Sequence, residues 1–144
     1  MVAALALVLS GCSGWQQASV GECAKPLDMT RGRAEMAEVD CSAQEAVYRL
    51  ATREKRNLCP TGDYVEETTG RTRKSGKTRY CYVLNVKEGD CLKAVSQYFE
   101  RVTCGTDPTR KVNKVVSGKT DRTLCGTDDS RTYTEPPTTI CITK

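Results

Sequence analysis

Cysteine is abundant in this chain, and histidine is absent. The 144 residues include nine cysteines and no histidine. Without histidine there is no Ser-His-Asp or Cys-His triad, no imidazole base and no His-containing metal site. No Cys-x-x-Cys spacing occurs, which argues against a thioredoxin-like redox site and a zinc ribbon. We therefore predict no catalytic residue, no metal and no cofactor.

The ninth cysteine, Cys12, closes a signal-like segment at the N-terminus. Val2–Leu9 is apolar, too short to span a bilayer, and followed by two small residues and the cysteine. We expect a signal peptide over 1–11, cleavage before Cys12, lipid on its thiol and a flexible tether over 12–19. Because no Lys or Arg precedes the apolar stretch, we expect the true start to lie upstream of Met1.

The other eight cysteines form an even set, which in an exported chain indicates four disulfides. Export to the extracytoplasmic face supplies the oxidising environment that these bridges require. The eight residues are Cys23, Cys41, Cys59, Cys81, Cys91, Cys104, Cys125 and Cys141.

An internal repeat places the eight cysteines in register and divides the body into two units, residues 20–87 and 88–144. The matched segments are Gly21–Cys23 with Gly89–Cys91, Val39–Cys41 with Val102–Cys104, Val47–Leu50 with Val112–Val115, Leu58–Asp63 with Leu124–Asp129, and Tyr80–Tyr82 with Ile140–Ile142. Eight cysteines allow 105 pairings, and the repeat favours pairing within each unit. The simplest pairing is sequential: Cys23–Cys41, Cys59–Cys81, Cys91–Cys104 and Cys125–Cys141. Each bridge would stabilise its small unit by roughly 3 kcal/mol.

The body is predicted to be mainly β, or α+β with short helical turns. β-branched and aromatic residues predict strands over Glu45–Thr52, Thr78–Val86, Lys111–Val116 and Thr139–Thr143. Val65–Lys77 contains turn residues, so that Cys59–Cys81 would staple the base of a hairpin. Residues 91–103 begin as a strand or form a helical turn over Leu92–Phe99.

A basic cluster between the strands of the first unit is the main charge feature. Its cations could contact anionic lipid or wall polymer, or form a solvated hairpin tip partly balanced by Glu66 and Glu67. The candidate contacts are Arg71, Arg73, Lys74, Lys77 and Arg79. The net charge of only +4, without a dense basic stripe, argues against a nucleic-acid partner.

Scattered acids leave a carboxylate enzyme as an alternative, since the fold assembles such pairs. An enzyme should show a cleft with at least two acids and a raised pKa on one, whereas a binding module should show an exposed patch without such a cleft. A third alternative is a redox buffer with one labile bridge. The acids are Asp107, Asp121, Asp128, Asp129 and Glu135.

Several cysteine-centred motifs resemble those of the actinobacterial LppU-like lipoproteins. They are Leu9–Cys12, Val20–Cys23, Val39–Cys41, Cys59-Pro60, Tyr80-Cys81 and Gly89–Leu92. The first unit is also similar to the small exported septum-formation-type domain, although Ala43-Gln44 stands where that domain often has Pro-His. The resemblance implies a Gram-positive, high-GC envelope protein of unassigned role, and of its site residues only the lipidated Cys12 carries over.

The sequence thus predicts a non-catalytic binding or scaffolding lipoprotein on the extracytoplasmic face of the cell membrane. Its partners would be the membrane, through the lipid, and an envelope protein, a peptide or an anionic wall polymer. The oligomeric state is left open.

Overall fold

The computed structural model describes residues 18–28, 35–55, 57–69, 77–105 and 109–144. Ten antiparallel strands form two five-stranded sheets, so the predicted mainly β fold is confirmed. The first sheet contains β1 (Cys23–Asp28), β2 (Glu35–Val39), β3 (Tyr48–Lys55), β4 (Val65–Thr69) and β5 (Thr78–Leu84). The second contains β6 (Cys91–Val95), β7 (Tyr98–Val102), β8 (Arg110–Ser117), β9 (Asp129–Thr134) and β10 (Pro137–Ile142).

Both sheets have the same topology. Their strand orders are β2-β1-β3-β5-β4 and β7-β6-β8-β10-β9, which become identical when β6 is counted as the counterpart of β1. A 3-10 helix, Arg122–Cys125, precedes β9. Among the described residues no helix is long and apolar enough to cross a membrane. The signal peptide, Cys12 and most of the tether lie outside the described residues.

The same glycine-containing turn begins each unit and sets its register. The amide of Gly21 donates to the carbonyl of Leu50, and that of Gly89 donates to Val112, both at 2.8 Å. These glycines have φ values of 98° and 91°, a region that side chains other than glycine's rarely adopt. The shared bonds show that Leu50 and Val112 are equivalent positions.

This equivalence corrects one part of the repeat. The sequence match of Val47–Leu50 with Val112–Val115 is wrong by three residues. Each segment has two apolar residues three positions apart, so the segments still match when they are shifted by three. Leu50 faces Tyr82, Val112 faces Ile142, and each pair is followed by a bulge. Opposite Tyr82 and Ile142 lie Val65 and Asp129, so the match of Asp63 with Asp129 is also wrong, by two residues.

Most predicted strands are confirmed, with two corrections. The turn predicted over Val65–Lys77 is in part strand β4, because Val65–Thr69 pairs along β5. Of the two alternatives for residues 91–103, the strand is correct and the helical turn is not: β6 and β7 form a tight hairpin in which Ser96 has φ 55°. No glycine or asparagine, the usual hairpin signal, marks that turn.

Four disulfides join the predicted sequential partners within each unit. They are Cys23–Cys41, Cys59–Cys81, Cys91–Cys104 and Cys125–Cys141, with sequence separations of 13 to 22 residues. Cys81 and Cys141 occupy matching positions on β5 and β10, the strands next to the edge strands β4 and β9, and are fully buried. The bridges Cys59–Cys81 and Cys125–Cys141 therefore fasten the segments before β4 and β9 to β5 and β10.

One hydrophobic core serves both sheets. Tyr48 of the first unit accepts a hydrogen bond from the amide of Phe99 (2.9 Å), and Tyr133 of the second accepts one from Leu84 (3.2 Å). The segment around Gly62 also pairs as a bridge with Tyr133 on the edge strand β9. These contacts join the two sheets and cover one edge of the second.

Candidate ligand pocket

The residues of the basic cluster are not gathered into a described site. Arg71, Arg73 and Lys74 lie outside the described residues. Lys77 is exposed, whereas Arg79 is engaged within the fold. Its Nε lies 3.5 Å from the Glu66 carboxylate, and Nη1 donates to the carbonyl of Asn57 at 2.7 Å. Arg79 therefore has a structural role in holding the segment before β4.

The acids singled out in the sequence are separated and mostly structural. Asp121 caps the 3-10 helix by accepting from the amide of Thr123 at 2.9 Å. Asp128 accepts from the side-chain amide of Asn113 at 2.8 Å. Asp129 forms an ion pair with Arg110 at 2.5 Å. Glu135 is exposed, and Asp107 lies outside the described residues.

The candidate site is instead a pocket of about 430 Å³ on one face of the first sheet. This volume lies within the range of small-molecule pockets. Side chains two apart along each strand face the same side, and this brings residues of all five strands together. The lining comprises Ala18, Glu22, Cys23, Ala24, Met36, Glu38, Leu50, Glu67, Thr69, Tyr80 and Tyr82.

The floor and walls of the pocket are apolar and aromatic. Ala24, Leu50, Tyr80 and Tyr82 are all buried, and Met36 packs against them. Such a surface can receive an alkyl or aromatic group, because its burial removes apolar area from water. The rim on β4, where Thr69 is exposed, opens to solvent.

Glu67 brings a half-buried carboxylate to this apolar surface. The Tyr82 hydroxyl donates to Glu67 Oε2 at 3.2 Å, and the amide of Met36 donates to Oε1 at 3.5 Å. Burial raises the pKa of the Glu67 carboxyl, opposed by these two hydrogen bonds, and nearby Glu35 raises it further. Burial also raises the pKa of Tyr82. The protein thus holds an incompletely solvated negative charge in the pocket.

Two further carboxylates line the pocket. Glu22, in the turn before β1, accepts from the amide of Ser19 at 2.6 Å. Glu38 is exposed on the edge strand β2, and within the described ranges its carboxylate has no ion pair. No group of three or more potential ligand side chains in the described part of the chain could hold one metal ion. The three carboxylates therefore line the pocket without converging on one point.

The equivalent face of the second unit carries cations where the first carries acids. Ala24 faces Glu38, whereas its counterpart Leu92 faces Arg101. Likewise Glu67 faces Tyr80, whereas Arg131 faces the equivalent Ile140. The two units therefore share a backbone and differ in charge at matching positions.

Both arginines contact neighbouring groups. Arg101 Nε lies 3.2 Å from Asp90, with side-chain exposures of 18% and 11%, and its Nη atoms donate to the carbonyls of Gln44 and Asn85. The Arg131 guanidinium lies 5.4 Å from the centre of the Phe99 ring. Asp90 is the counterpart of Glu22, since each precedes the first cysteine of its unit.

None of the acids singled out in the sequence lines the pocket, whose carboxylates are those of Glu22, Glu38 and Glu67. The alternation of side chains along the strands was the available signal. Glu67 and Thr69 lie on one face of β4, opposite Tyr80 and Thr78 of β5. Met36 and Glu38 lie on one face of β2. Because β2 and β4 are not among the strands predicted from the sequence, the alternation does not show by itself which of their residues line the pocket.

Comparison with known proteins identifies no relative: no family profile, curated protein or solved structure matches the chain.

Proposed function

We propose that this chain is an exported lipoprotein, anchored by lipid on Cys12 at the extracytoplasmic face of a bacterial membrane, which binds a ligand in the pocket of its first sheet. The lipobox-like segment Leu9–Cys12 and the resemblance to LppU-like lipoproteins support the anchoring. The four disulfides are compatible with export, because such bridges persist in oxidising compartments.

The pocket is the observation that carries the binding role. Residues on the equivalent face of the second unit contact the first unit, as Phe99 contacts Tyr48 and Arg101 contacts Gln44. The first unit leaves a pocket of about 430 Å³ open on its own face. A ligand with an apolar group would bury that group against Leu50, Tyr80 and Tyr82, which favours binding because the apolar area of the ligand is removed from water.

The hydrogen bonds of Glu67 favour binding over catalysis. Both of its oxygens accept hydrogen bonds, from Tyr82 and from the amide of Met36, which suits an ionised acceptor better than a proton donor. Glu22 is engaged with Ser19 in the turn before β1. Two of the three pocket acids thus have roles in the fold.

A carboxylate hydrolase is the second candidate, favoured by the raised pKa of Glu67. A carboxyl group of raised pKa beside other carboxylates is the arrangement of a general acid. If the protein is a hydrolase, Glu67→Gln should abolish its turnover of substrate, and Glu66→Gln should retain it. Glu66 is the matched control because it lies on the other face of β4, where it pairs with Arg79.

The test of the proposed function compares two tryptophan variants of the full chain purified from its membrane. Thr69→Trp places a large side chain at the pocket rim, whereas Thr68→Trp places it on the opposite face of the same edge strand. Native mass spectrometry should find lipid on Cys12 in both proteins. It should also find a bound small molecule with the wild type and Thr68→Trp but not with Thr69→Trp.

An unmodified Cys12 would refute the anchoring. Equal retention of bound molecules by the two tryptophan variants would refute the pocket as the binding site.

A further inference from the structure

In the second unit, the face that corresponds to the pocket already holds a cation, the guanidinium of Arg101. The Asp90 carboxylate accepts from the amide of Lys87 at 3.0 Å and, through the same oxygen, contacts the Arg101 guanidinium at 3.2 Å. The other nitrogens of this guanidinium donate to carbonyls of the first unit, those of Gln44 and Asn85. The turn acid of a unit can therefore cap its own turn and bind an organic cation at once.

The first unit repeats the turn acid but lacks the cation. Glu22 caps Ser19 as Asp90 caps Lys87, yet Glu38 stands at the position of Arg101. Glu67 stands at the position of Arg131. The three equivalent side chains carry a formal charge of −3 in the first unit (Glu22, Glu38, Glu67) and +1 in the second (Asp90, Arg101, Arg131).

The space around these acids matches a cation on an alkyl stem. Met36, Leu50 and the rings of Tyr80 and Tyr82 line the same pocket as the three carboxylates. An alkyl stem would cover the apolar floor, while its charged end would meet the acids and tyrosine faces, which attract cations. An anionic or neutral ligand would leave the carboxylates without a counter-charge in a partly desolvated site.

We propose that the pocket binds an alkyl cation, defined as an ammonium or guanidinium group on an alkyl stem, which takes the place that Arg101 takes in the second unit. This inference rests on the proposed function and names the ligand class of the same site. The cation is a free amine or a basic side chain of a peptide, since both present the same chemistry.

Binding should weaken in acid. Among the residues that the structure describes, the titratable groups near Glu67 are Tyr80 and Tyr82 from β5, Glu35 and Glu38 from β2, and Glu22 from the turn before β1. Protonation of Glu67, whose pKa is raised chiefly by burial, removes one charge that attracts the cation. Affinity should therefore fall as pH drops through that pKa.

The test follows the methyl resonance of Met36 in the full chain labelled with 13C-methyl methionine. Three probes are titrated at constant ionic strength: 1,5-diaminopentane, Nα-acetyl-lysine amide and neutral 1-pentanol. Saturable shifts of Met36 are expected with both amines and at least tenfold weaker binding with pentanol. The tighter of the two amines identifies the source as a free amine or a peptide side chain.

Glu38→Arg supplies the missing cation from within the chain and should weaken amine binding at least tenfold. Glu38→Gln removes only one partly solvated charge and should weaken it roughly two- to fivefold. The control is Glu100→Arg, which makes the same charge change at an exposed position on the counterpart strand β7 and should leave binding unchanged.

Two outcomes would overturn the cation inference while leaving the proposed function standing. In the first, pentanol shifts Met36 as strongly as the amines and Glu38→Arg has no effect. In the second, no probe shifts Met36, although the native mass spectra of Thr69→Trp and Thr68→Trp still differ. If the two tryptophan variants are also equal, both proposals fail.

Discussion

The two units have the same strand order, the same opening turn and the same bulge, but they treat one face of the sheet differently. In the second unit Phe99, Tyr133 and two arginines occupy that face, and Phe99, Tyr133 and Arg101 contact the first unit. The first has Met36, Thr69 and two glutamates at those positions, and a pocket results. Backbone hydrogen bonds and disulfides therefore specify the shared scaffold, while a few inward side chains decide whether it is filled or open.

The largest expected difference between the units is in the loss of unfolding free energy on replacing Tyr133 or its counterpart, Thr69. Tyr133 is 1% exposed, accepts a hydrogen bond from Leu84, and packs edge-on against Tyr64 with ring centres 5.1 Å apart. Tyr133→Ala should lower the free energy of unfolding by about 3–5 kcal/mol. Its counterpart Thr69 is exposed, so Thr69→Ala should change it by less than about 0.5 kcal/mol.

Urea denaturation of the oxidised protein measures both values. Similar losses for the two substitutions would mean that the faces are not differently packed.

A second difference is expected at the Arg101 position. Arg101→Ala leaves Asp90 without its cation and two carbonyls without donors, and should cost about 2 kcal/mol or more, because a largely buried charge loses its partner. The counterpart Glu38 is exposed and makes no ion pair with a described residue, so Glu38→Ala should cost less than about 0.5 kcal/mol. Chemical denaturation at pH 7 again provides the measurement, and a cost for Glu38→Ala equal to that for Arg101→Ala would contradict the comparison.

The single hydrogen bond between Tyr48 and Phe99 should contribute less to the free energy of unfolding than the whole side chain of Tyr133. Tyr48→Phe removes the hydroxyl that accepts from the amide of Phe99 at 2.9 Å. Because that amide is then unpaired in the interior, the unfolding free energy should fall by about 1–3 kcal/mol. Amide hydrogen exchange at Phe99 should accelerate correspondingly, and unchanged exchange would show that the hydrogen bond does not protect it.

The sequence predicted the scaffold much better than the site. The cysteine register and the glycine turns identify two disulfide-bonded β units, since these features are local and occur twice. The pocket depends on which residues of β2 and β4 face inward, and neither strand has a strong apolar pattern. In the sequence, Glu66 and Glu67 both balance nearby basic residues, whereas the strand pleat places these two neighbours on opposite faces.

Glu67 should make a small contribution with a characteristic pH dependence. Its pKa is higher in the folded protein than the usual value of 4.5, so its ionised form is destabilising above the folded pKa. Glu67→Gln should raise stability at pH 7 by less than about 1 kcal/mol, because the side chain is half exposed.

That gain should shrink as pH falls through the Glu67 pKa and vanish below the usual value, where both states bind the proton. Urea titrations between pH 4 and 8 measure it. Glu66→Gln is the control, and an equal gain for that variant, or a gain that grows in acid, would contradict a desolvated Glu67.

The most direct measurement of the central claim, that the first unit is an unfilled version of the second, is the unfolding free energy of Glu38→Arg at pH 7. The substitution places a guanidinium where it can meet Glu22 as Arg101 meets Asp90. The expected result is a gain of about 0.5–1 kcal/mol over the wild type, while Glu100→Arg gives no gain. A loss of stability in Glu38→Arg, or the same change in both variants, would mean that the pocket does not receive a cation in the manner of the second unit.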